Sequence, residues 1–471
     1  MARLRTRPEQ GGEAIPQRVH LVGAGGMHMS AIGTILLARG HVVTGSDIAD
    51  SVHTRRLQAA GATIYLGHAA ANVGRAELVV TTVAAREDNP ELQAARERGV
   101  AVIVRAEMVR RLVAGRELLA IAGTHGKTTT TTLAALMTLR GGLDPLVLAG
   151  GDSPDLDGNA RDGAGRLAVV EADEYAGAFL QYEPHLALIT NIDVDHLDYY
   201  GSEERLHEAF AAFAARVQAD GTLFVCADSP AAFALGEARR AAGARVERYG
   251  LDNEAEWRAV QVRGNDRGGL ECVVLLDGAE LGRMSLRIPG RHNVANALGA
   301  LAMAMRAGVD FHRAVQAAEE FGGVHRRFEL VGDAAGVTIV DDYAHHPTEV
   351  RATVQAARTR FPGRRLIGCF QPHTYSRSRY LAEGFRTCFE GLDALYVTAT
   401  YAAREQADAG SDAETLAAQV TRPAARYIGT LGEALELAAR ELRPGDVFLT
   451  LGAGDIEQLG PLVLARLGPA Q

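Results

Sequence analysis

The chain of 471 residues almost lacks lysine: of its 49 Lys and Arg residues only one, Lys127, is a lysine. Cysteine is scarce too. The four, Cys226, Cys272, Cys369 and Cys388, are scattered with no C-x-x-C pair. That spacing argues against a disulfide framework or a thiolate zinc site, and fits a reducing cytoplasm. Aromatic residues make up 6%, and the abundance of alanine and arginine reflects genome composition more than function. There is no excess of positive charge. The net charge of −9 argues against a nucleic-acid partner. No run of about 18 uninterrupted apolar residues occurs, so no membrane span is expected. Residues 1–17 are polar and arginine-bearing, without the apolar stretch of a signal peptide. The expectation is a soluble cytoplasmic protein, monomeric or weakly dimeric, with neither nucleic acid nor membrane as partner.

What is present is ample apolar content, 47%, and a length that suits about three domains. Short apolar runs alternate with helical patterns, as in a parallel α/β protein. Strands are expected at 19–22, 41–44, 63–65, 78–81 and 101–104, with helices at 29–39 and 90–98. A second block opens with a strand at 118–122, a glycine loop and a helix at 128–140. Further strands fall at 167–170 and 186–190. A hairpin at 270–288 turns on Asp277-Gly278, and helices at 294–307 and 312–321 follow. The third block carries strands at 337–340, 366–370, 394–398 and 447–451. The boundaries are a tail at 1–17 and domains at 18–115, 116–326 and 327–471.

The lone lysine sits in Gly123-Thr124-His125-Gly126-Lys127-Thr128-Thr129. An ammonium is a compact point charge that fits between phosphates, where the arginine fork does not. Glycine loops between a buried strand and a helix cradle phosphates, and the hydroxyl after the lysine can reach Mg²⁺. The loop is the short GxxGKTT form, because Ile121 occupies the position of the first glycine in a standard Walker A. Glu171-Ala172-Asp173-Glu174 follows an apolar strand, where an open sheet places ligand chemistry and where oxygen ligands suit Mg²⁺. His196, among Asp193, Asp195 and Asp198, suits a second metal position. Asn293 and Asn296 lie one helical turn apart beside His292, a pattern shared by base-reading side chains and helix caps. The loop Gly23-Ala24-Gly25-Gly26 resembles a dinucleotide fingerprint and Asp47 is spaced for a ribose; by themselves they fit NAD and UDP equally. Asp341–Pro347 and Gln371–Arg377 each join a strand to a helix and bring histidines, Tyr343 and an arginine able to grip a carboxylate.

Together these motifs resemble the Mur ligase family, the ATP-dependent amide-forming enzymes of peptidoglycan precursor synthesis. The likeness runs from about His20 to Gln458. It is carried by the 20–30 segment, Gly45-Ser46-Asp47, Asp88-Asn89-Pro90-Glu91, GTHGKTTT at 123–130, EADEY at 171–175, NIDVDHLDYY at 191–200, PGRHNVANALGA at 289–300, GVHRRFE at 323–329, DDYAHHPTEV at 341–350, QPHTYSRSRYL at 371–381 and GAGDI at 452–456.

The resemblance implies an N-terminal Rossmann-like domain for the UDP-sugar, a central P-loop ATPase-like domain and a C-terminal Rossmann-like α/β domain for the amino acid. It implies ATP at Gly123, Thr124, His125, Gly126, Lys127, Thr128 and Thr129, with His292, Asn293, Asn296 and Arg326. Two Mg²⁺ ions are implied at Thr128, Glu171 and His196. The UDP-sugar falls to Gly23, Gly25, Gly26, Ser30, Asp47 and Thr82, and the amino acid to Tyr343, His346, His373 and Arg377. Catalytic roles fall to Lys127, His196, Arg327 and His345.

The DDYAHHP and QPHTYSR segments, at 341–347 and 371–377, point to the branch that joins L-alanine to UDP-N-acetylmuramate. A branch that recycles a murein tripeptide onto the same sugar is the near alternative, and an NAD-dependent dehydrogenase the distant one. His28 stands where the family usually has glycine. The carbamylated lysine of related ligases is excluded, since no second lysine exists.

Overall fold

The structure, a computed structural model, describes residues 14–83, 85–403, 405–408 and 410–468. Residues 1–13 of the expected tail lie outside the described residues, and Ile15 beyond them is buried. The chain groups into two compact units. One takes in residues up to Asp193 with Glu204–Trp257 and Gly299–Ala317; the other holds Val194–Glu203, Arg258–Leu298 and the chain from Ala318 onward.

The first unit begins with β1 (Arg18–Val22), β2 (Val42–Asp47), β3 (Thr63–Leu66), β4 (Leu78–Thr81) and β5 (Ala101–Val104). They form a parallel sheet in the order β3-β2-β1-β4-β5. The order reverses between β1 and β4, the place where open α/β sheets bind ligands beyond their carboxyl ends.

The same unit continues with β6 (Glu117–Ala122), β7 (Leu146–Ser153), β8 (Gly158–Asp162), β9 (Leu167–Glu171), β10 (Leu186–Ile189), β11 (Thr222–Cys226) and β12 (Val246–Gly250). Their order is β12-β11-β10-β6-β9-β7-β8, parallel except for β7 against β8. β6 is central, and Leu118–Ala122 are buried on both faces, which explains its unbroken apolar run.

Arginine–carboxylate pairs tie these two sheets together. Arg39 grips Asp162 at 2.9 and 3.1 Å, Arg56 grips Asp152 at 2.8 and 3.2 Å, and Arg105 meets Asp173 at 2.8 Å. The Asn159 amide adds a bond to the Met27 carbonyl at 3.0 Å.

In the second unit β13 (Trp257–Gly264, whose first residue belongs to the other unit), β14 (Leu270–Leu276) and β15 (Ala279–Ser285) run in the order β15-β14-β13. β16 (Glu329–Ala334), β17 (Val337–Asp342), β18 (Leu366–Phe370), β19 (Ala394–Thr398), β20 (Ala425–Gly429) and β21 (Val447–Leu451) form a six-stranded sheet, β16-β17-β21-β18-β19-β20. All its pairs are parallel except β16 against β17. Period-two alternation sorts its side chains between two cores: Leu366, Phe370, Leu449 and Leu451 enter one, and Ile367, Cys369 and Phe448 the other.

The α/β expectation is met, and every expected strand exists. Seven strands escaped the sequence reading: β7, β8, β11, β12, β13, β16 and β20. β7 contains Gly150-Gly151 and β8 reads Gly-Asn-Ala-Arg-Asp. Such segments look like loops, and only their neighbours in the sheet make them strands.

Candidate functional site

β6 is followed by Gly123, whose φ of 129° suits only glycine. A Cβ there would lie 2.0 Å from Thr190 Oγ1. Gly126, at φ 79°, begins the helix Lys127–Arg140 without a side-chain cap. A helix start of this kind presents N–H groups and positive dipole to an anion. Lys127 Nζ reaches Gly123 O at 2.6 Å, Thr124 O at 3.0 Å and Glu174 Oε1 at 2.9 Å. Its side chain is 14% exposed. Burial opposes its charge, but Glu174, Asp173 and Glu171 outweigh burial and raise its pKa.

Two expected phosphate donors have other partners. The Thr124 N–H donates to the Asn191 carbonyl and the His125 N–H to Asn191 Oδ1, at 3.1 and 2.9 Å. The Thr124 hydroxyl exchanges hydrogen bonds with the Asp193 backbone, and His125 Nε2 lies 3.3 Å from Asp193 Oδ2. These residues brace the loop against the segment after β10.

Thr128 Oγ1 donates to Glu171 Oε1 at 3.2 Å, and Glu171 Oε2 accepts the Gly150 N–H at 2.7 Å. Burial pushes the Glu171 carboxyl up. A hydroxyl and a carboxylate side by side are hard oxygen donors and fit Mg²⁺. Burial also works against the Asp173 charge, but Arg105, His28 and Lys127 outweigh it and hold Asp173 down at about 2.

In the glycine loop after β1, the Gly23 and Ala24 N–H groups donate to Ser46 O, both at 2.9 Å, and Gly25 N–H donates to Asp47 Oδ2 at 2.8 Å. Asp47, expected on a ribose, thus holds the loop itself. A Cβ on Gly23 would come within 3.0 Å of Thr82, so Thr82 packs against the loop. Ser30, expected on the sugar, is buried and donates to Met27 O inside its own helix. His28 is the second residue of that helix, Met27–Ala38; burial pushes its ring down to about 3, with Arg105 adding to the effect.

Beneath the loop lies a network absent from the site residues expected from sequence. Fully buried Glu91 accepts from Ser46 Oγ at 2.6 Å and Asn72 Nδ2 at 2.7 Å, with His68 Nδ1 at 3.0 Å. The Asp88–Glu91 motif was the available signal, but nothing in it names Ser46 or His68 as partners.

In the second unit, Arg377 lies on Asp195, with Nη2 3.0 Å from Oδ1, and its Nη1 is 2.9 Å from His373 Nδ1. The arginine expected on a substrate carboxylate is therefore matched to a carboxylate of the protein. Asp195, read from the sequence only as a neighbour of His196, is the partner of this arginine. Burial works against its charge, but His196, Arg377, His345 and His346 outweigh it and hold the carboxyl far below the usual range. His373 stacks on Tyr401, and His345 stands edge-on between Tyr343 and His373. His345 Nδ1 is 2.9 Å from the Tyr343 carbonyl, so the proton sits on Nδ1 and the lone pair on Nε2. Burial pushes its pKa down to about 3, and Glu349 only partly opposes this. His196 has a left-handed φ of 55° beside Asp195.

Three further expected site groups have partners within the protein. His346 is the N-cap of the helix Pro347–Arg360, accepting from Thr348 N–H, with Nε2 3.1 Å from Val194 O; its nitrogens serve the fold. Arg326 is 7% exposed and holds Asp341, Gly452 O and Glu457 at 2.9, 2.6 and 2.9 Å. Asn293 donates to Pro289 O and Asn296 to Asn293 Oδ1, so each amide already has a partner, while His292 is exposed. Arg327 pairs with Glu349 at 3.3 Å and lies over the Tyr343 ring.

Three family models cover most of the chain: the Mur ligase family catalytic domain at residues 18–117, the Mur ligase middle domain at 121–304 and the Mur ligase glutamate ligase domain at 326–454. A UDP-N-acetylmuramate–L-alanine ligase of Geobacter sp. (strain M21) is 42% identical over 459 residues, 97% of this chain and 98% of the relative. One of Solidesulfovibrio magneticus is 43% identical over 452 residues, 94% of this chain and 97% of that relative. The solved UDP-N-acetylmuramate–alanine ligase of Thermotoga maritima matches with TM-score 0.80 at 29% identity, covering 95% of this chain and 98% of that one. A murein peptide ligase of Psychrobacter arcticus shares the fold, with TM-score 0.70 at 23% identity over 96% of this chain and 99% of that one. With its lysine loop, its acidic strand end and three consecutive family domains, the chain belongs to the Mur ligase family.

Proposed function

We propose that this chain joins L-alanine to the carboxylate of UDP-N-acetylmuramate, using ATP and releasing ADP and phosphate. The observation that carries the reading is the buried ammonium of Lys127 at a helix start, beside the Thr128–Glu171 oxygen pair. That grouping is a phosphate site with provision for a hard cation. The choice of alanine is supported by the relatives at 42 and 43% identity.

A carboxylate does not react with an amine near neutral pH, because oxide is too poor a leaving group. Phosphorylation turns the oxygen into one that leaves as phosphate. Lys127 serves the approach of two anions by neutralising the triphosphate. The loop donors are the N–H groups from Gly126 onward, since those of Thr124 and His125 are engaged. Thr128 and Glu171 would hold one Mg²⁺ and His196 a second, and these ions would draw charge from the phosphate oxygens. Alanine attacks as free amine, giving a tetrahedral intermediate that expels phosphate. A nearby histidine, His196 or His345, is the acceptor for the amine proton. Gly23–Gly26 holds the UDP-sugar, Tyr343 and His373 border the amino acid, and Arg327 has a catalytic role.

The test is to incubate the protein with ATP and UDP-N-acetylmuramate, offer amino acids and the murein tripeptide singly, and weigh the products. Mass gain with alanine alone, with phosphate release dependent on both sugar nucleotide and alanine, is expected. Preference for the tripeptide would reassign the nucleophile, and phosphate release independent of the sugar would reassign the acceptor.

A further inference from the structure

Arg105 follows β5 directly and opens the helix Arg105–Leu112. It therefore stands on the same carboxyl edge of the first sheet as the Gly23–Gly26 loop after β1 and Asp47 at the end of β2. It also reaches the acidic end of β9 in the neighbouring sheet, where Nη2 donates to Asp173 Oδ2 at 2.8 Å. It is thus shared by the strand ends that carry the sugar-nucleotide loop and the acids beside the phosphate loop.

The hydrogen bonds at this meeting point are unevenly distributed. An ammonium has three donors, and Lys127 has matched them to Gly123 O, Thr124 O and Glu174. Asp173 takes Arg105 on Oδ2 and the Tyr175 N–H on Oδ1. Among the described residues, the Asp173 bond is the one hydrogen bond the Arg105 guanidinium makes, although that group carries five donors. Its side chain is only 11% exposed. No Arg105 nitrogen is among the buried polar atoms left without a partner, so the rest of the fork keeps access to solvent, where an arriving anion can be gripped.

We propose that Arg105 grips the acceptor carboxylate of the sugar nucleotide and presents it to the γ-phosphate of ATP. The inference rests on the ligase reading above and adds the residue that holds the reacting acid. A planar fork matches a carboxylate with two parallel N–H···O bonds, and it stays protonated throughout. In the step it serves, a carboxylate oxygen forms a bond to the γ-phosphorus. The bond from that phosphorus to the β–γ bridging oxygen breaks, and ADP departs with the electron pair. Arg105 exchanges no proton. Asp173 keeps the guanidinium aimed while leaving its other edge open.

UDP-N-acetylglucosamine separates this role from a structural one, because it shares the uridine, diphosphate and sugar but lacks the lactyl carboxylate. Binding of both nucleotides to the full chain is measured by calorimetry for wild type, Arg105→Gln and Arg105→Lys. The expected result for Arg105→Gln is a loss of about 30-fold for UDP-N-acetylmuramate, with UDP-N-acetylglucosamine unchanged within about twofold. Arg105→Lys, which keeps charge without the fork, should lose less. Equal losses for both ligands, as from a damaged loop or a diphosphate contact, would overturn the inference, and so would no loss for either. If Arg105→Gln does not fold, the same comparison applies to Arg105→Lys. A wild type that fails to bind UDP-N-acetylmuramate would overturn the ligase reading itself, whereas wild-type binding with equal losses sinks only the role of Arg105.

Discussion

Lys127 shows how one side chain can be chemically irreplaceable in a chain that otherwise uses arginine for its basic residues. Its ammonium fits among two carbonyls and Glu174, a space in which a guanidinium fork cannot match the same acceptors. Lys127→Arg should lower kcat by about 10³-fold or more, by analogy with the removal of a transition-state cation; near-normal turnover of that variant would refute the assignment. His345 gives a second residue-level expectation. Its folded pKa is depressed from 6.5 to about 3. As pH falls below 6.5 the unfolded chain takes a proton that the folded ring refuses, so stability present above pH 6.5 is lost progressively towards pH 3. At pH 5 that amounts to about 2 kcal/mol. Urea unfolding of His345→Gln should fall less steeply between pH 7 and 5 than wild type; parallel slopes would show that the ring does not titrate this way.

Among the elements, the β6–loop–helix unit depends on close backbone approach more than on helix propensity. Gly123 combines a left-handed φ of 129° with a Cβ position 2.0 Å from Thr190 Oγ1 and 2.9 Å from the Asn191 carbonyl. Gly243 has φ 85° and nothing within 4 Å of its Cβ position. Gly243→Ala should therefore cost only backbone strain, about 1 kcal/mol. Gly123→Ala should cost more and should abolish nucleotide binding, because the loop must leave Thr190 and Asn191. Retained binding of an ATP analogue by Gly123→Ala would refute this account. The strand before the loop was legible as an apolar run and the loop as a glycine pattern. The bracing of that loop by Asn191 was not, because it joins residues 66 apart and depends on β10 lying beside β6. The capping role of His346 was hidden for a related reason. A histidine before a proline carries no sign of capping in the sequence, and only the Thr348 N–H directed at Nδ1 reveals it.

For the molecule as a whole, the first unit draws stability from charged ties between its two sheets. Asp162 accepts from Arg39 and Arg116, and its side chain is 17% exposed. Asp162→Ala leaves two part-buried guanidinium groups short of a partner and should cost about 2 kcal/mol in urea unfolding, between the values for exposed and buried pairs. Asp88→Ala, whose pair with Arg86 is largely exposed, should change nothing measurable. Equal effects of the two would show that burial does not set the value of these ties. The sequence by itself determined the alternating α/β order, the phosphate loop and the family, because periodicity and short glycine motifs are local in the chain. Only the tertiary structure decided which charges are neutralised and by whom: Arg377 by Asp195, Arg326 by Asp341 and Glu457, Arg105 by Asp173. Partners 68 to 182 residues apart, as in the first and last of these, meet through the order of strands in a sheet. Burial, which sets the strength of each pairing and the protonation of each group, exists only once the chain has folded.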